Sequence, residues 1–134
     1  MRIVVGYVPT DESRAAIGTA VDEAILRNGE LLVLGPATTD DADDTDAARS
    51  ELAETLQRAR ASGVLTQVRP LKPGEDLADV LIDTSYEDDV ELVIIGVRRR
   101  SRVGKLILGS TAQRVILEAG CAVHSVKPPL RASS

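Results

Sequence analysis

A cluster of basic side chains followed by two hydroxyl residues is the part of the sequence with the clearest potential for chemistry. In the segment GVRRRSRVGKLILGST, residues 96–111, five basic residues lie between Gly96 and Gly109, just before Ser110 and Thr111. These five are Arg98, Arg99, Arg100, Arg102 and Lys105. Guanidinium and ammonium groups pair with phosphate oxygens, and the unpaired N–H groups at a helix start attract anions. The segment therefore predicts an anion-binding loop that leads into a helix, with phosphate as its natural occupant.

Two simpler interpretations of the same residues remain open at this stage. Ser110-x-x-Gln113 has the spacing of a capping box, in which the serine hydroxyl bonds a backbone N–H and needs no ligand. The arginines would serve equally well as a solvated basic face, or as contacts to acidic residues of the same protein or a neighbour. Gly96 and Gly109 allow either a ligand or a neighbouring backbone to approach closely, because neither carries a side chain.

The charge of the chain is unevenly distributed along its 134 residues. Residues 1–95 contain 20 acidic and 8 basic side chains, whereas residues 96–134 contain 1 acidic and 8 basic ones, within a net charge of −5. The acidic majority would repel a nucleic-acid duplex, and no DNA-reading helix is evident, so nucleic acid is an unfavoured partner. The acidic balance, with 13 Arg and 3 Lys, is also typical of proteins from high-salt cytoplasms.

Cysteine content and hydropathy narrow the class of protein. The single cysteine, Cys121, excludes an internal disulfide framework and is expected to be a small apolar core residue. No apolar run approaches the roughly 20 residues that cross a bilayer. We therefore expect a soluble, cytoplasmic protein that does not associate with a membrane.

The elements that must position the basic segment follow from the apolar pattern. Short apolar runs alternate with helical periodicity, which predicts an α/β fold with a mostly parallel sheet in one domain over residues 1–134. The predicted strands cover 3–8, 30–35, 64–70, 90–97 and 121–126. The predicted helices start at 10–13, after the acidic run 40–46, after Pro73-Gly74 and at Ser110. The first, second and fourth of them end near Asn28-Gly29, Gly63 and Gly120.

Acidic residues lie close to the predicted starts of the second and third helices. Glu75 and Asp76 are expected in the first turn of the third helix, where carboxylates complement the helix dipole. The acidic run 40–46 has carboxylates at alternating positions, which calcium can bind. It lacks the glycine and distal glutamate of a calcium-binding hand, so the sequence favours a solvated crossover and no metal site.

The doubly wound arrangement places the predicted site at one end of the sheet. In the order 3-2-1-4-5 the first and fourth strands are neighbours, and ligands bind beyond their carboxyl ends. The loops 8–13 and 96–110 are therefore the predicted walls.

Three segments resemble the universal stress protein family. IVVGYVPTDESRAAI is similar to the opening strand and helix of that family, and PGEDLADVLI to the entry of its third helix. ELVIIGV through GSTAQRVILEAGCAVHSVKP resembles its fourth strand, loop and fourth helix. Nucleotide-binding members carry Gly-x2-Gly-x9-Gly-Ser/Thr here; Gly96 and Gly109-Ser110 match this motif, but Arg99 occupies the position of the second glycine.

The resemblance implies an adenine nucleotide alpha hydrolase-like fold that binds ATP or a related adenine nucleotide, with Mg²⁺ accompanying ATP. Arg98 and Arg99 would flank the phosphates. The remaining implied contacts are Gly96, Gly109, Ser110 and Thr111 on the phosphate side and Pro9 and Thr10 on the nucleoside side. Any ATP hydrolysis should be slow, because no Lys-Ser/Thr follows a glycine-rich loop.

Val8 departs from the family pattern, in which ATP-binding members end the first strand with an aspartate. A register anchored on Pro9-Thr10-Asp11 would offer Asp11 as the acid, whereas the helix register, which fits the sequence better, places Val8 there.

The resemblance also implies a homodimer formed through the last strand, Ala122 to Val126. Val8 and Arg99 keep open an alternative to a nucleotide-binding module in stress response, namely a nucleotide-free family member that acts as a protein-interaction or regulatory dimer.

Overall fold

The computed structural model describes residues 1–37, 46–98 and 108–128. Five strands alternate with four helices along these residues. Their bounds are β1 Arg2–Gly6, α1 Asp11–Arg27, β2 Glu30–Ala37, α2 Asp46–Ala61, β3 Thr66–Leu71, α3 Leu77–Ser85, β4 Val90–Gly96, α4 Ser110–Glu118 and β5 Ala122–Val126.

The strands form one parallel sheet in the order β3-β2-β1-β4-β5, which confirms the predicted doubly wound α/β architecture. In the centre of the sheet, Val4 pairs with Leu32 of β2 on one side and with Val93 of β4 on the other. The neighbouring positions of β1 and β4 bring the ends of these two strands together. As expected, β5 lies at an edge of the sheet.

Helices cover both faces of the sheet because successive strand residues point in opposite directions. Ile3 and Val5 pack against α1 and α2, and Val4 packs against α3 and α4. One stripe of α1 faces the sheet: Ala16, Ile17, Ala20, Val21 and Ala24 are buried, and Ile25 is half-buried beside them. A core without phenylalanine or tryptophan is therefore filled by small and branched side chains from both layers.

The helix ends mostly follow the sequence, with one correction. Thr10 caps α1, and Asn28 ends it in the left-handed conformation with a φ of 55°. Neither Glu75 nor Asp76 lies in the first turn of α3: Asp76 is the N-cap, its carboxylate accepts a hydrogen bond from the Ala78 N–H, and Glu75 precedes it. A side chain in that position satisfies one of the unpaired N–H groups directly. The possible calcium ligands at 40–45 lie outside the described residues.

Among the described residues, no helix combines the length and the apolar character that a membrane span requires.

Candidate functional site

A cavity of about 360 Å³ opens beyond the carboxyl ends of β1 and β4. This is the end of the sheet at which open α/β folds bind ligands, and the volume lies within the range of small-molecule pockets. The first wall comes from the end of β1 and the start of α1, and the second from the end of β4 and the start of α4. Its described lining is Gly6, Val8, Thr10, Glu12, Ser13, Leu77, Leu81, Ile95, Gly96, Val97, Arg98, Gly109, Ser110, Thr111 and Ala112.

The start of α1 is closed by its own hydrogen bonds. The Thr10 hydroxyl accepts from the Ser13 N–H at 3.2 Å, and the buried Ser13 hydroxyl accepts from the Val8 N–H, also at 3.2 Å. Asp11 and Glu12 add two carboxylates to the first turn. Carboxylates at this end offset the positive end of the helix dipole, so the α1 start offers little to a further anion.

The wall beside α1 carries Val8 and not Asp11. Val8 is partly exposed and lines the cavity. The Asp11 carboxylate accepts a hydrogen bond from Arg14 at 2.7 Å, and Asp11 is absent from the described lining. Of the two candidate positions for an acid, the one that lines the cavity is therefore Val8, whose side chain is an apolar isopropyl group.

Gly96 is required by the backbone of α1. A Cβ at this position would overlap the carbonyl group of Glu12 and the backbone nitrogen of Ser13. Of the two reasons that the sequence leaves open for this glycine, the close approach of a neighbouring backbone is the one observed. The start of α1 thus packs directly on the end of β4, which draws the two walls of the cavity together.

The start of α4 is open, in contrast to that of α1. Gly109 is the N-cap, with φ −65° and ψ 162°, and supplies no capping side chain. Ser110 is consequently the first helical residue, so the capping box with Ser110 as its cap is wrong. Among the described residues, no hydrogen bond involves the hydroxyl of Ser110 or Thr111. The α4 start therefore presents two hydroxyls and N–H groups that have no partner in the described part of the chain, next to the cavity.

Arg98 and Glu12 form an ion pair at the cavity. The Arg98 Nε lies 3.6 Å from Glu12 Oε1, and the side chains are 66% and 19% exposed respectively. The sequence alone does not indicate Glu12 as a site residue, because a glutamate in a first helical turn ordinarily contacts the helix dipole at the surface. The signal available was its position in the loop 8–13, which the fold places at the end of β1.

The structure brings together most of the predicted site residues. Six of the eight line the cavity: Thr10, Gly96, Arg98, Gly109, Ser110 and Thr111. Pro9 is exposed and does not belong to the described lining. Arg99 lies outside the described residues, as do the other basic residues of 100–105.

Cys121 and His124 lie apart from this cavity. Cys121 is half-buried beside the core under α3 and α4, and burial raises the pKa of its thiol, which disfavours the reactive thiolate. His124 is exposed on the edge strand β5. The described residues hold no group of three His, Cys, Asp or Glu side chains that could bind a metal ion.

Comparison with known proteins gives a consistent result. The sequence profile of the Universal stress protein family matches residues 1–127. A universal stress protein of Mycolicibacterium smegmatis is 39% identical over 127 residues, which cover 94% of this chain and 97% of that protein. The solved structure of a universal stress protein from Archaeoglobus fulgidus is 31% identical with a TM-score of 0.65, over 95% of this chain and 98% of that one. A structure of the universal stress protein from the same organism in complex with dAMP is 26% identical, with a TM-score of 0.66 and the same coverage.

Proposed function

The chain belongs to the universal stress protein family, and we propose that it binds ATP or a related adenine nucleotide in the cavity beyond β1 and β4. The observation that carries the proposal is the open start of α4. Its first N–H groups and the hydroxyls of Ser110 and Thr111 adjoin the cavity and have no partner among the described residues. A phosphate group would satisfy these donors and would benefit from the positive end of the helix dipole.

The remaining lining suits the nucleoside. Apolar side chains reach the cavity from β1, α3, β4 and α4, and they offer a surface on which a base can be buried. They are Val8, Leu77, Leu81, Ile95, Val97 and Ala112. The complex of a family relative with dAMP supports an adenine nucleotide as the class of ligand.

Arg98 supplies positive charge to the phosphate side, and Arg99 is proposed to lie there with it. Glu12 is the one acidic residue in the described lining. Mg²⁺ prefers several oxygen ligands and commonly takes some of them from phosphates. Any Mg²⁺ would therefore accompany ATP through its phosphate oxygens.

We further propose that the protein is a binding module in stress response, with at most slow ATP hydrolysis, and that it forms a homodimer through Ala122 to Val126. These residues form an edge strand, and the free backbone groups of an edge can pair with a second copy. Analytical ultracentrifugation at several protein concentrations tests the dimer. A monomer at all concentrations would refute it.

The nucleotide proposal is tested by denaturing protein purified from cells and identifying any adenine nucleotide that is released. Calorimetric titration with AMP and ATP, with and without Mg²⁺, then measures the affinity. Ser110→Ala should weaken binding, whereas Ser50→Ala, on the exposed surface of α2, should leave it unchanged. Absence of released nucleotide together with absence of saturable binding at millimolar ligand would contradict the proposal.

A second candidate function, a nucleotide-free interaction dimer, is favoured by Val8. The cavity wall presents an apolar group at a position where an acid could hold the nucleoside. Arg99, in the position of a family glycine, would add to this effect by crowding the phosphates. If Arg99→Gly binds nucleotide and the parent does not, the second function is the correct one for the native chain.

A further inference from the structure

Glu12 lines the cavity, and among the described residues no donor forms a hydrogen bond with its carboxylate. It is 19% exposed, and its one ionic partner among the described residues is Arg98, at 3.6 Å. That distance exceeds a normal charge-assisted hydrogen bond. An ionised carboxylate has about four acceptor sites. The described residues therefore leave most of the acceptor capacity of Glu12 to a ligand that brings donors.

The position of Glu12 indicates which part of a nucleotide would meet it. The carboxylate adjoins Arg98, on the phosphate side of the cavity, yet its negative charge repels phosphate oxygens. In a nucleotide the group next to the phosphate is the ribose, and the ribose carries two adjacent hydroxyl donors. The base lies one group further away, where the lining is apolar.

We propose that Glu12 determines the sugar specificity of the site by accepting hydrogen bonds from the ribose 2′- and 3′-hydroxyls. The inference rests on the proposed function, since it requires a nucleotide in this cavity. An acidic residue that holds a ribose hydroxyl is an established device in other parallel α/β folds. Here the carboxylate would come from the first turn of α1, in a cavity whose β1 end carries Val8.

The experiment compares AMP, 2′-deoxy-AMP, 3′-deoxy-AMP and IMP by calorimetry in the parent, in Glu12→Gln and in Asp11→Asn. Asp11→Asn removes the same charge from the neighbouring residue of the same helical turn, but Asp11 does not belong to the described lining. The parent should bind AMP about tenfold or more tightly than either deoxynucleotide, because hydrogen bonds to a charged group have this strength. Glu12→Gln should lose most of that ratio, and Asp11→Asn should keep it.

A second measurement separates a role in binding from a role in folding. Inorganic phosphate should bind Glu12→Gln as tightly as the parent or more tightly, since Arg98 is released from its partner. Equal losses for phosphate, AMP and both deoxynucleotides would show that Glu12 acts on the structure, and would overturn the inference.

The outcomes also distinguish this inference from the function on which it rests. If the parent does not bind AMP, the proposed function fails, and the inference fails with it. If the parent binds AMP but does not prefer it over the deoxynucleotides, the inference alone is overturned. A change in the AMP-to-IMP ratio without a change in the deoxy ratios would place Glu12 at the base and would overturn it as well.

Discussion

Two helices begin at the same cavity, and their first turns have opposite properties. At the start of α1, Thr10 and Ser13 close the backbone with side-chain hydrogen bonds, and two carboxylates follow. At the start of α4, the cap is Gly109 and the first turn contains no acidic residue. Because both helices carry the same backbone dipole, the side chains alone decide which start can receive an anion.

The contrast between the two helix starts predicts the orientation of a bound nucleotide in the cavity. Phosphate should meet α4, where the described residues leave the donors unpaired, and the sugar and base should meet the wall formed by α1 and the ends of β1 and β4. The hydrogen-bonded cap of α1, formed by Thr10 and Ser13, then holds the walls in place, whereas the start of α4 binds the phosphate. Variants at the two starts should therefore separate stability from affinity.

The largest effect is expected from adding one methyl group at the end of β4. Gly96→Ala would force the new Cβ against the backbone of Glu12 and Ser13, which should lower the free energy of unfolding by about 3 kcal/mol. Gly109→Ala places its Cβ in open space and should cost about 0.5 kcal/mol, because alanine caps a helix less well than glycine. Urea denaturation of both variants measures the difference. Similar losses would contradict the packing of α1 on β4.

An intermediate effect is expected from removing one hydroxyl at each helix start. Thr10→Ala removes the cap of α1 and should cost about 1 kcal/mol of stability, which Thr10→Ser should largely restore. Ser110→Ala removes a hydroxyl without a bond among the described residues, so it should change stability by less than about 0.5 kcal/mol while it weakens nucleotide binding. A Ser110→Ala variant that unfolds more readily than Thr10→Ala would abolish the distinction between the two starts.

The smallest effect on stability is expected at Arg98. Its side chain is mostly exposed and its ion pair is long, so Arg98→Gln should change the free energy of unfolding by less than about 0.5 kcal/mol. Nucleotide affinity should nevertheless fall several-fold, and less so at high salt, where charge is screened. Arg58→Gln is the matched control, since Arg58 forms an exposed ion pair with Asp22 and lies outside the described lining. Equal affinities for the two variants would remove Arg98 from the site.

Much of the fold could be predicted from the sequence because its signals are local and repeated. Apolar runs such as ELLVLG and VELVIIGV indicate buried parallel strands, and glycine or asparagine marks where helices end. The bounds are less well determined: β3 begins at Thr66, and Val64 instead packs in the core before the strand starts.

The site was predicted less completely, because it depends on details smaller than an element. Whether Ser110 caps α4 or follows the cap is a shift of one residue, and the sequence pattern fits both. The need for Gly96 arises from the backbone of Glu12, 84 positions earlier in the chain. The pairing of Glu12 with Arg98 also depends on the packing of α1 against the end of β4. No local sequence pattern indicates a contact between residues so far apart in the chain.

The central claim is that the open start of α4 receives the phosphate, and Gly109→Asp tests it most directly. The variant gives α4 a capping carboxylate like the acidic start of α1, and should keep or slightly raise stability. AMP affinity, measured by calorimetry beside the urea denaturation of the same variant, should fall about tenfold or more, because the carboxylate occupies the N–H groups and repels phosphate. Unchanged AMP affinity in a folded Gly109→Asp protein would contradict the account.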